Sequence, residues 1–234
     1  MREQESISLF DTLYAARGMA SQRRYPNERL IGFIASRLAG RGKSERDGLK
    51  VLEVGCGSGA NLWYLAKEGL AAYGMDASPT GLALARENLR DNWSVEADLA
   101  LGKFTQLPYL DDQFDFVVDV VSLQHLDLES SKRAFAEVAR VLKPKGEFFS
   151  YRLGDHSSMF RQHRGEYIDA ATVFNITDPS MPLHDNGPIS FWSPALARHQ
   201  YALTGLAIDA IDIDTRTYSS GHMAEYLSIT ASLC

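Results

Sequence analysis

The stretch VLEVGCGSG, residues 51–59, decides the fold of this 234-residue chain. Its first half is short and apolar, as in a buried strand, and its second half is a turn that contains Gly55, Gly57 and Gly59. Residues 60–68 follow with a helical pattern. Glycines at such a turn let the backbone bend tightly and approach a ligand closely. The helix behind them directs free N–H groups at the same point. We therefore predict a strand–turn–helix unit with a ligand above the turn.

Short apolar runs alternate with amphipathic stretches in the chain that follows. The predicted helices cover residues 78–89 and 129–142, and the predicted strands cover residues 71–75, 98–104, 114–121 and 147–151. This alternation implies right-handed crossovers and a doubly wound, mostly parallel sheet with helices on both faces. Ligands of such sheets bind beyond the carboxyl ends of the strands. We therefore expect Gly55, Asp76, Phe104 and residues 119–121 to surround one crevice.

Asp76 is the acidic partner of the glycine turn. It follows Gly55 by 21 residues and ends the next predicted strand. A carboxylate in this place can accept the two ribose hydroxyls of an adenosine. The pattern does not choose between adenosine cofactors, because Gly55-x-Gly57-x-x-Ala60 also fits the fingerprint of NAD enzymes.

The residues before and after this core do not show the alternation of short strands and helices. Apolar stripes predict two helices within residues 1–48, and Pro26 is expected in the first turn of the second helix. The segment from residue 154 to residue 192 is rich in His, Asp, Asn, Pro and aromatics, and it is long for a plain connection. We divide the chain into a helical N-terminal cap (1–48), a core (49–153), an insert (154–192) and a C-terminal helix with two closing strands of the same domain (193–234).

Composition narrows the classes of function. The formal charge is −6, whereas proteins that grip a phosphate backbone usually carry a basic face, so nucleic acid is not expected as a substrate. The chain has no apolar run of ~18 residues and no signal-peptide pattern, which predicts a cytoplasmic protein that does not enter a membrane. Cys56 and Cys234 suggest no disulfide framework, and Asp155, His156, His163 and Glu166 show no recognised ligand spacing, so no metal is expected.

Four motifs in order resemble one family. They are E-x-G-x-G-x-G at residues 53–59, YGMDAS at 73–78, LPYLDDQFDFVVD at 107–119 and ARVLKPKGEFF at 139–149. The region from residue 51 to about residue 151 is similar to the core of class I S-adenosylmethionine-dependent methyltransferases. The resemblance implies a Rossmann-like, seven-stranded sheet and S-adenosylmethionine as cofactor. An NAD-linked oxidoreductase, the first alternative, would not be expected to show the last two motifs. A methyltransferase-like protein that binds the cofactor without turnover is the second alternative.

The resemblance also implies roles for individual residues. The three glycines would pass beneath the methionine part, and Glu53 would support its amino group. Asp76 would hold the ribose, with Ala77 beside the adenine and Val120 lining the cofactor at the end of the fourth strand. The acidic residue that the family usually has after its third strand is absent from Gly102-Lys103-Phe104, so either Phe104 holds the adenine or Asp98 marks the true register. Arg29 is expected to pair with the methionine carboxylate, and Arg24 is the alternative.

His125 is the candidate catalytic residue. Methyl transfer requires the acceptor to be held ~3 Å from the methyl carbon, in line and away from water. A base is needed only when the acceptor starts protonated. His125 follows the fourth strand, and its unperturbed pKa of about 6.5 suits a general base, although a structural histidine in the loop is the other interpretation. The expected reaction is transfer to O or N of a small-molecule acceptor beneath the insert, whose aromatic residues form either a lid or a small core.

Overall fold

The computed structural model describes residues 2–233, without the side chains of residues 2–5 and 21. The α-helices are α1 (Arg2–Arg17), α2 (Glu28–Leu38), α3 (Lys43–Arg46), α4 (Leu62–Lys67), α5 (Pro79–Glu87), α6 (Leu128–Val141), α7 (Ser158–Arg161) and α8 (Pro194–Ala202). The strands are β1 (Lys50–Val54), β2 (Ala71–Asp76), β3 (Asp98–Leu101), β4 (Phe114–Val120), β5 (Leu142–Leu153), β6 (Glu166–Tyr167), β7 (Thr172–Phe174), β8 (Pro188–Ser190), β9 (Leu206–Thr217) and β10 (Met223–Leu233).

A seven-stranded sheet forms the centre of the chain, in the order β3-β2-β1-β4-β5-β10-β9. Its first five strands are parallel, and β10 runs antiparallel to both β5 and β9. Val54 lies opposite Met75 on one side and Asp119 on the other, so the carboxyl ends of β1, β2 and β4 are level. The predicted fold class, a doubly wound, mostly parallel Rossmann-like sheet, is confirmed.

Successive residues of β1 enter two different cores. Val51 packs with the apolar sides of α2, α4 and α5, whereas Leu52 packs with residues of α6 and α8. Both side chains are fully buried. A strand covered on both faces reads as a continuous apolar run, which is why β1 and β4 were visible in the sequence.

Asn27 explains where the second helix begins. Its side chain accepts hydrogen bonds from the backbone N–H groups of Arg29 (2.9 Å) and Leu30 (3.2 Å), so it is the N-cap of α2. Pro26 therefore precedes the cap, and its predicted place in the first turn of the helix is wrong. Asn side chains favour the cap position because they satisfy the free N–H groups at a helix start.

The insert contains its own small sheet and core. Strands β6, β7 and β8 pair antiparallel. Apolar residues in and next to these strands, including Val173, Ile189 and Phe191, form a core that is almost fully buried. Trp192 lies instead in the core under the main sheet, 5.4 Å from the Phe135 ring. This arrangement favours the small-core interpretation of the insert's aromatic residues. Cys56 is a buried free thiol, and Cys234 lies outside the described residues.

Candidate functional site

A cavity of about 270 Å³ opens at the carboxyl ends of β1, β2 and β4. Its floor is the glycine turn after β1, and one wall is helix α1 together with the residues that follow it. The charged residues in its lining are Arg23, Glu53 and Asp76. The parallel sheet thus brings the predicted turn and its acidic partner into one crevice.

The first glycine of the turn has no room for a side chain. Gly55 has φ +72°, and an ideal Cβ on it would lie 2.4 Å from the side chain of Ser122. The N–H groups of Gly55 and Cys56 both donate to the carbonyl of Met75, at 2.7 and 3.0 Å. The Ser122 hydroxyl donates to the Gly55 carbonyl at 3.0 Å. These contacts hold the backbone of the turn against the cavity, as a closely bound ligand requires.

Gly57 and Gly59 play different parts in this turn. Gly57, with φ +51°, lines the cavity beneath Tyr14. Gly59, with φ +77°, lies instead against Ala85 and Leu89 and is not part of the lining. Its nearest neighbours show that Gly59 allows the chain to pack against α5 and the turn that follows it.

Asp76 ties the turn to the end of β2. One carboxylate oxygen accepts from the backbone N–H of Gly57 at 2.8 Å, and the other accepts from that of Ser78 at 2.9 Å. Burial raises the pKa of Asp76, and these backbone hydrogen bonds oppose the rise. A carboxylate has about four acceptor sites. Asp76 therefore retains acceptor capacity for hydroxyl groups of a ligand.

Glu53 has an oxygen without a partner at the base of the cavity. Asn61 donates to Oε1 at 2.5 Å, whereas Oε2 is buried with no hydrogen-bond partner among the residues that the structure describes. Burial raises the pKa of Glu53 to about 8, against the opposing effect of the Asn61 hydrogen bond. Asn61 also accepts from the backbone N–H of Asn27 at 2.9 Å, which links the start of α2 to the site. An unpaired buried carboxyl oxygen is suited to a ligand that donates hydrogen bonds or carries positive charge.

Phe104, Ala77 and Val120, which the resemblance implied as cofactor-binding residues, also line the cavity. The Phe104 ring lies close to the glycine turn, 3.2 Å from an ideal Cβ on Gly55. Asp98 is an exposed residue at the start of β3, and the cavity lining does not include it. Of the two candidates for this place, the structure therefore puts Phe104 at the cavity.

The structure places Arg29 away from the cavity. Its guanidinium forms an ion pair with Asp214 of β9 and is partly exposed. Arg24 offers its backbone carbonyl to the Trp63 indole, at 3.3 Å. Arg23 is the arginine that lines the cavity. Three arginines within seven residues cannot be ranked from sequence, because the loop between α1 and α2 decides which of them faces the site.

His125 lines the cavity as a buried residue in the turn after β4. Its Nδ1 lies 3.0 Å from the carbonyl oxygen of Pro188, and its ring packs edge-on against Phe10 at 4.8 Å. Burial lowers its pKa to about 4, so the expected pKa near 6.5 is wrong for this environment. Since a carbonyl only accepts, the neutral ring carries its proton on Nδ1 and leaves a lone pair on Nε2.

Helix α1 contributes residues that sequence reasoning missed. Ser6, Phe10 and Tyr14 follow one face of the helix and line the cavity. Asp11 fixes the helix over the site, because it accepts hydrogen bonds from the Ser78 hydroxyl (2.5 Å) and the Thr80 N–H (3.1 Å). These contacts lower the pKa of Asp11. In the sequence these three residues are four positions apart, which is typical of one face of a helix, but the polar Ser6 interrupts the apolar pattern of that face.

The side chains of Tyr151 and Arg152, near the end of β5, do not line the cavity. Tyr151 stacks on Tyr226 at 4.8 Å. Arg152 is fully buried, with its guanidinium 3.3 Å from the centre of the Trp192 ring and one nitrogen donating to Ser190 at 2.8 Å. Tyr151 thus packs on the neighbouring strand β10, and Arg152 packs against residues of the insert.

One group of the described residues has metal-type ligand atoms close together. Oxygen and nitrogen atoms of Asp155, His156 and Glu225 lie within 4.8 Å of one another. His163, which we had considered beside them in sequence, packs against Tyr167 instead, at 4.6 Å. The absence of a bound metal stays a prediction.

Among residues 2–233, none of the helices has the length and apolar character that a bilayer crossing needs.

The sheet order and the cavity at its strand ends define a Rossmann-like α/β protein. Residues 52–150 match the family described as "Methyltransferase domain". The matched residues lie in the region that resembles class I S-adenosylmethionine-dependent methyltransferases in sequence, and the match supports that resemblance.

Relatives are similar over part of their length. An uncharacterized methyltransferase of Synechocystis sp. is 36% identical over 101 residues, which are 43% of this chain and 45% of that protein. The chain spans about half the length of the curated relatives that it matches first.

Solved structures are similar over a larger share of the chain. A methyltransferase from Methanosarcina mazei is 22% identical, covers 78% of this chain and 91% of its own, and has a TM-score of 0.67. The 1,6-didemethyltoxoflavin-N1-methyltransferase of Burkholderia thailandensis, with bound 1,6-didemethyltoxoflavin and S-adenosylhomocysteine, is 14% identical. It covers 100% of this chain and 90% of its own, with a TM-score of 0.70.

Proposed function

We propose that this chain binds S-adenosylmethionine in the cavity and transfers its methyl group to a small-molecule acceptor. One observation carries the proposal: Glu53, the glycine turn and Asp76 meet in a single cavity at the carboxyl ends of adjacent parallel strands. The similar structure from Burkholderia thailandensis binds S-adenosylhomocysteine together with a small molecule, which supports the same use of the fold.

The residues fit the parts of this cofactor. Its amino group would meet the unpaired Oε2 of Glu53, and its ribose hydroxyls would donate to Asp76. The backbone at Gly55 and Gly57 would pass beneath the methionine part. We assign the methionine carboxylate to Arg23, because Arg29 already pairs with Asp214.

The acceptor would lie under α1 and the insert. When bound, the cofactor supplies a methyl group that its sulfonium makes electrophilic. The chain's part is to orient the acceptor and to exclude water. Leu183 and Asn186 of the insert line the cavity, so we propose that residues 154–192 cover the acceptor. His125 would accept a proton from a protonated acceptor through Nε2.

We infer that the acceptor is not a nucleic acid, because the chain carries a formal charge of −6.

A thermal-shift comparison with S-adenosylhomocysteine, S-adenosylmethionine and NAD tests the proposed cofactor. A ligand at 100 times its dissociation constant stabilises the folded state by about 2.7 kcal/mol. For a chain of this size the melting temperature should rise by roughly 5–10 °C with either sulfur ligand. NAD should leave it unchanged. A rise with NAD alone would replace this proposal with an oxidoreductase.

Catalysis needs a separate test from binding. The low pKa of His125 makes it a weak base, which gives weight to the alternative of a protein that binds the cofactor without turnover. Incubation with labelled S-adenosylmethionine and pooled metabolites should produce labelled small molecules. Cofactor binding without any labelled product would favour the alternative.

A further inference from the structure

Helix α1 runs along the cavity, from the part that we assign to the cofactor to a second part that could hold the acceptor. Tyr14 lies over Gly57 and Gly81, close to Asp76. One turn earlier, Phe10 packs on His125, and Ser6 lies one turn further along the same face. We call the part of the cavity lined by Ser6, Ile7, Phe10, His125, Leu183 and Asn186 the acceptor end.

The acceptor end has no charged side chain among its named lining residues. The three charged residues of the cavity, Arg23, Glu53 and Asp76, are those assigned to the cofactor. A carboxylate or an ammonium group would lose its hydration at the acceptor end without gaining an opposite charge, which is costly. The apolar side chains of Ile7, Phe10 and Leu183 favour an uncharged, largely apolar molecule.

His125 lines this space and has one ring nitrogen that can accept a hydrogen bond from a ligand. Its Nδ1 is held by the Pro188 carbonyl at 3.0 Å, which leaves the Nε2 lone pair as the free polar function of the ring. A lone pair matches an O–H group of a ligand and repels a carboxylate. The ring is also fixed on its other side by Phe10, so its direction is set before a ligand binds.

Ser6 presents a second, unmatched polar group. Its side chain is only 7% exposed, it lines the cavity, and its hydroxyl has no hydrogen-bond partner within residues 2–233. Buried polar groups in folded proteins are almost always paired, so an unpaired hydroxyl on a residue that lines the cavity indicates a ligand atom that completes it. Hydroxyl groups both donate and accept, and Ser6 would therefore suit a second hydroxyl or a carbonyl.

We propose that the acceptor is an uncharged, largely apolar hydroxyl compound with a second oxygen at a distance from the reacting one. This inference rests on the proposed function. The reacting O–H donates to His125 Nε2 and the second oxygen pairs with the Ser6 hydroxyl. In the reaction, the acceptor oxygen gains the methyl group and its proton passes to His125, while the S–CH₃ bond breaks and its electron pair stays on sulfur. His125 then releases the proton to water, which leaves a methyl ether and S-adenosylhomocysteine.

Binding of matched probes at pH 7 tests the proposed class of acceptor. The protein is first titrated with S-adenosylhomocysteine, and the saturated complex is then titrated by calorimetry with 2-naphthol, 2-naphthoate, 2-naphthylmethylammonium and 2,7-dihydroxynaphthalene. The four probes share one ring system and differ in charge and in oxygen number. We expect 2-naphthol to bind at least about 10-fold tighter than either charged probe, and the diol to bind about 3- to 10-fold tighter than 2-naphthol.

Ser6→Ala is the variant that isolates the second contact. It should remove the advantage of the diol and leave 2-naphthol unchanged, whereas Ser8→Ala, an exposed position on the same helix, should preserve both affinities. Equal binding of a charged probe, absence of binding by both hydroxyl probes, or an unchanged diol advantage in Ser6→Ala would overturn the proposal. Failure of the first titration, with S-adenosylhomocysteine, would instead count against the proposed function.

Discussion

Cofactor binding should release a proton from Glu53, and the size of the release follows from the structure. Burial raises the pKa of this carboxyl to about 8, so about nine-tenths of the molecules carry a proton on it at pH 7. A cationic amino group beside the carboxyl lowers its pKa by about 1–3. Binding of S-adenosylhomocysteine at pH 7 should therefore release about 0.4 to 0.9 proton, and at pH 9 the release should nearly vanish.

Calorimetric titration in buffers of different ionisation enthalpy measures this release directly. Glu53→Gln should bind without releasing the proton, and Glu87→Gln, at an exposed position of α5, serves as the matched control. A ligand without the amino acid part, 5′-methylthioadenosine, should release none from the unaltered protein. A release below about 0.2 proton, or the same release from Glu53→Gln, would refute the assignment of Glu53 to the amino group.

Four further predictions follow from individual contacts. Asp76→Ala should weaken S-adenosylhomocysteine binding about 10- to 100-fold in calorimetry, because hydrogen bonds to a charged group are lost; an unchanged affinity would disprove the ribose assignment. Gly55→Ala should lower the free energy of unfolding in urea by about 2–4 kcal/mol, since its Cβ would meet Ser122 at positive φ, and a smaller loss would show that the turn relaxes. Burial lowers the pKa of His125 in the folded state, so the neutral ring stabilises the fold above pH 6.5. Between pH 6.5 and pH 4.5 the free energy of unfolding should fall by about 2.5 kcal/mol on account of this residue. Denaturation curves of His125→Gln should not show that part of the fall. Arg152→Met should leave the free energy of unfolding unchanged or raise it by up to about 3 kcal/mol, because two guanidinium nitrogens are buried with no hydrogen-bond partner in the described part of the chain; a clear loss of stability would show that the cation is well compensated.

Periodicity predicted the sheet well, because its central strands are buried on both faces. The strand predicted before the glycine turn is β1, and the two predicted closing strands are β9 and β10, an antiparallel pair at the sheet edge. The third strand was less clear, since β3 is only partly buried and ends at Leu101 before the turn that carries Phe104. Exposed edge strands carry a weaker apolar pattern.

The cofactor end of the site was predictable for a similar reason. The glycines and Asp76 occupy positions that the backbone alone dictates, at the level ends of adjacent strands. Their spacing in sequence therefore specifies their place in space, and among the three glycines and Asp76 only Gly59, which packs against Ala85 and Leu89, lies outside the cavity lining.

The acceptor end was not predictable to the same degree. Ser6 and Asn186 come from distant segments that meet only when α1 and the insert fold over the sheet. The choice of Arg23 over Arg29 depends on the path of a loop, and the low pKa of His125 depends on burial by Phe10 and the insert. Such properties arise from tertiary contacts, which local patterns do not encode.

A crystal structure of the protein with S-adenosylhomocysteine tests the central claim most directly. We expect density in the cavity at the strand ends, with the ribose hydroxyls on Asp76 and the amino group on Glu53 Oε2. Density for the ligand at another place, or an orientation in which neither carboxylate contacts it, would contradict the account.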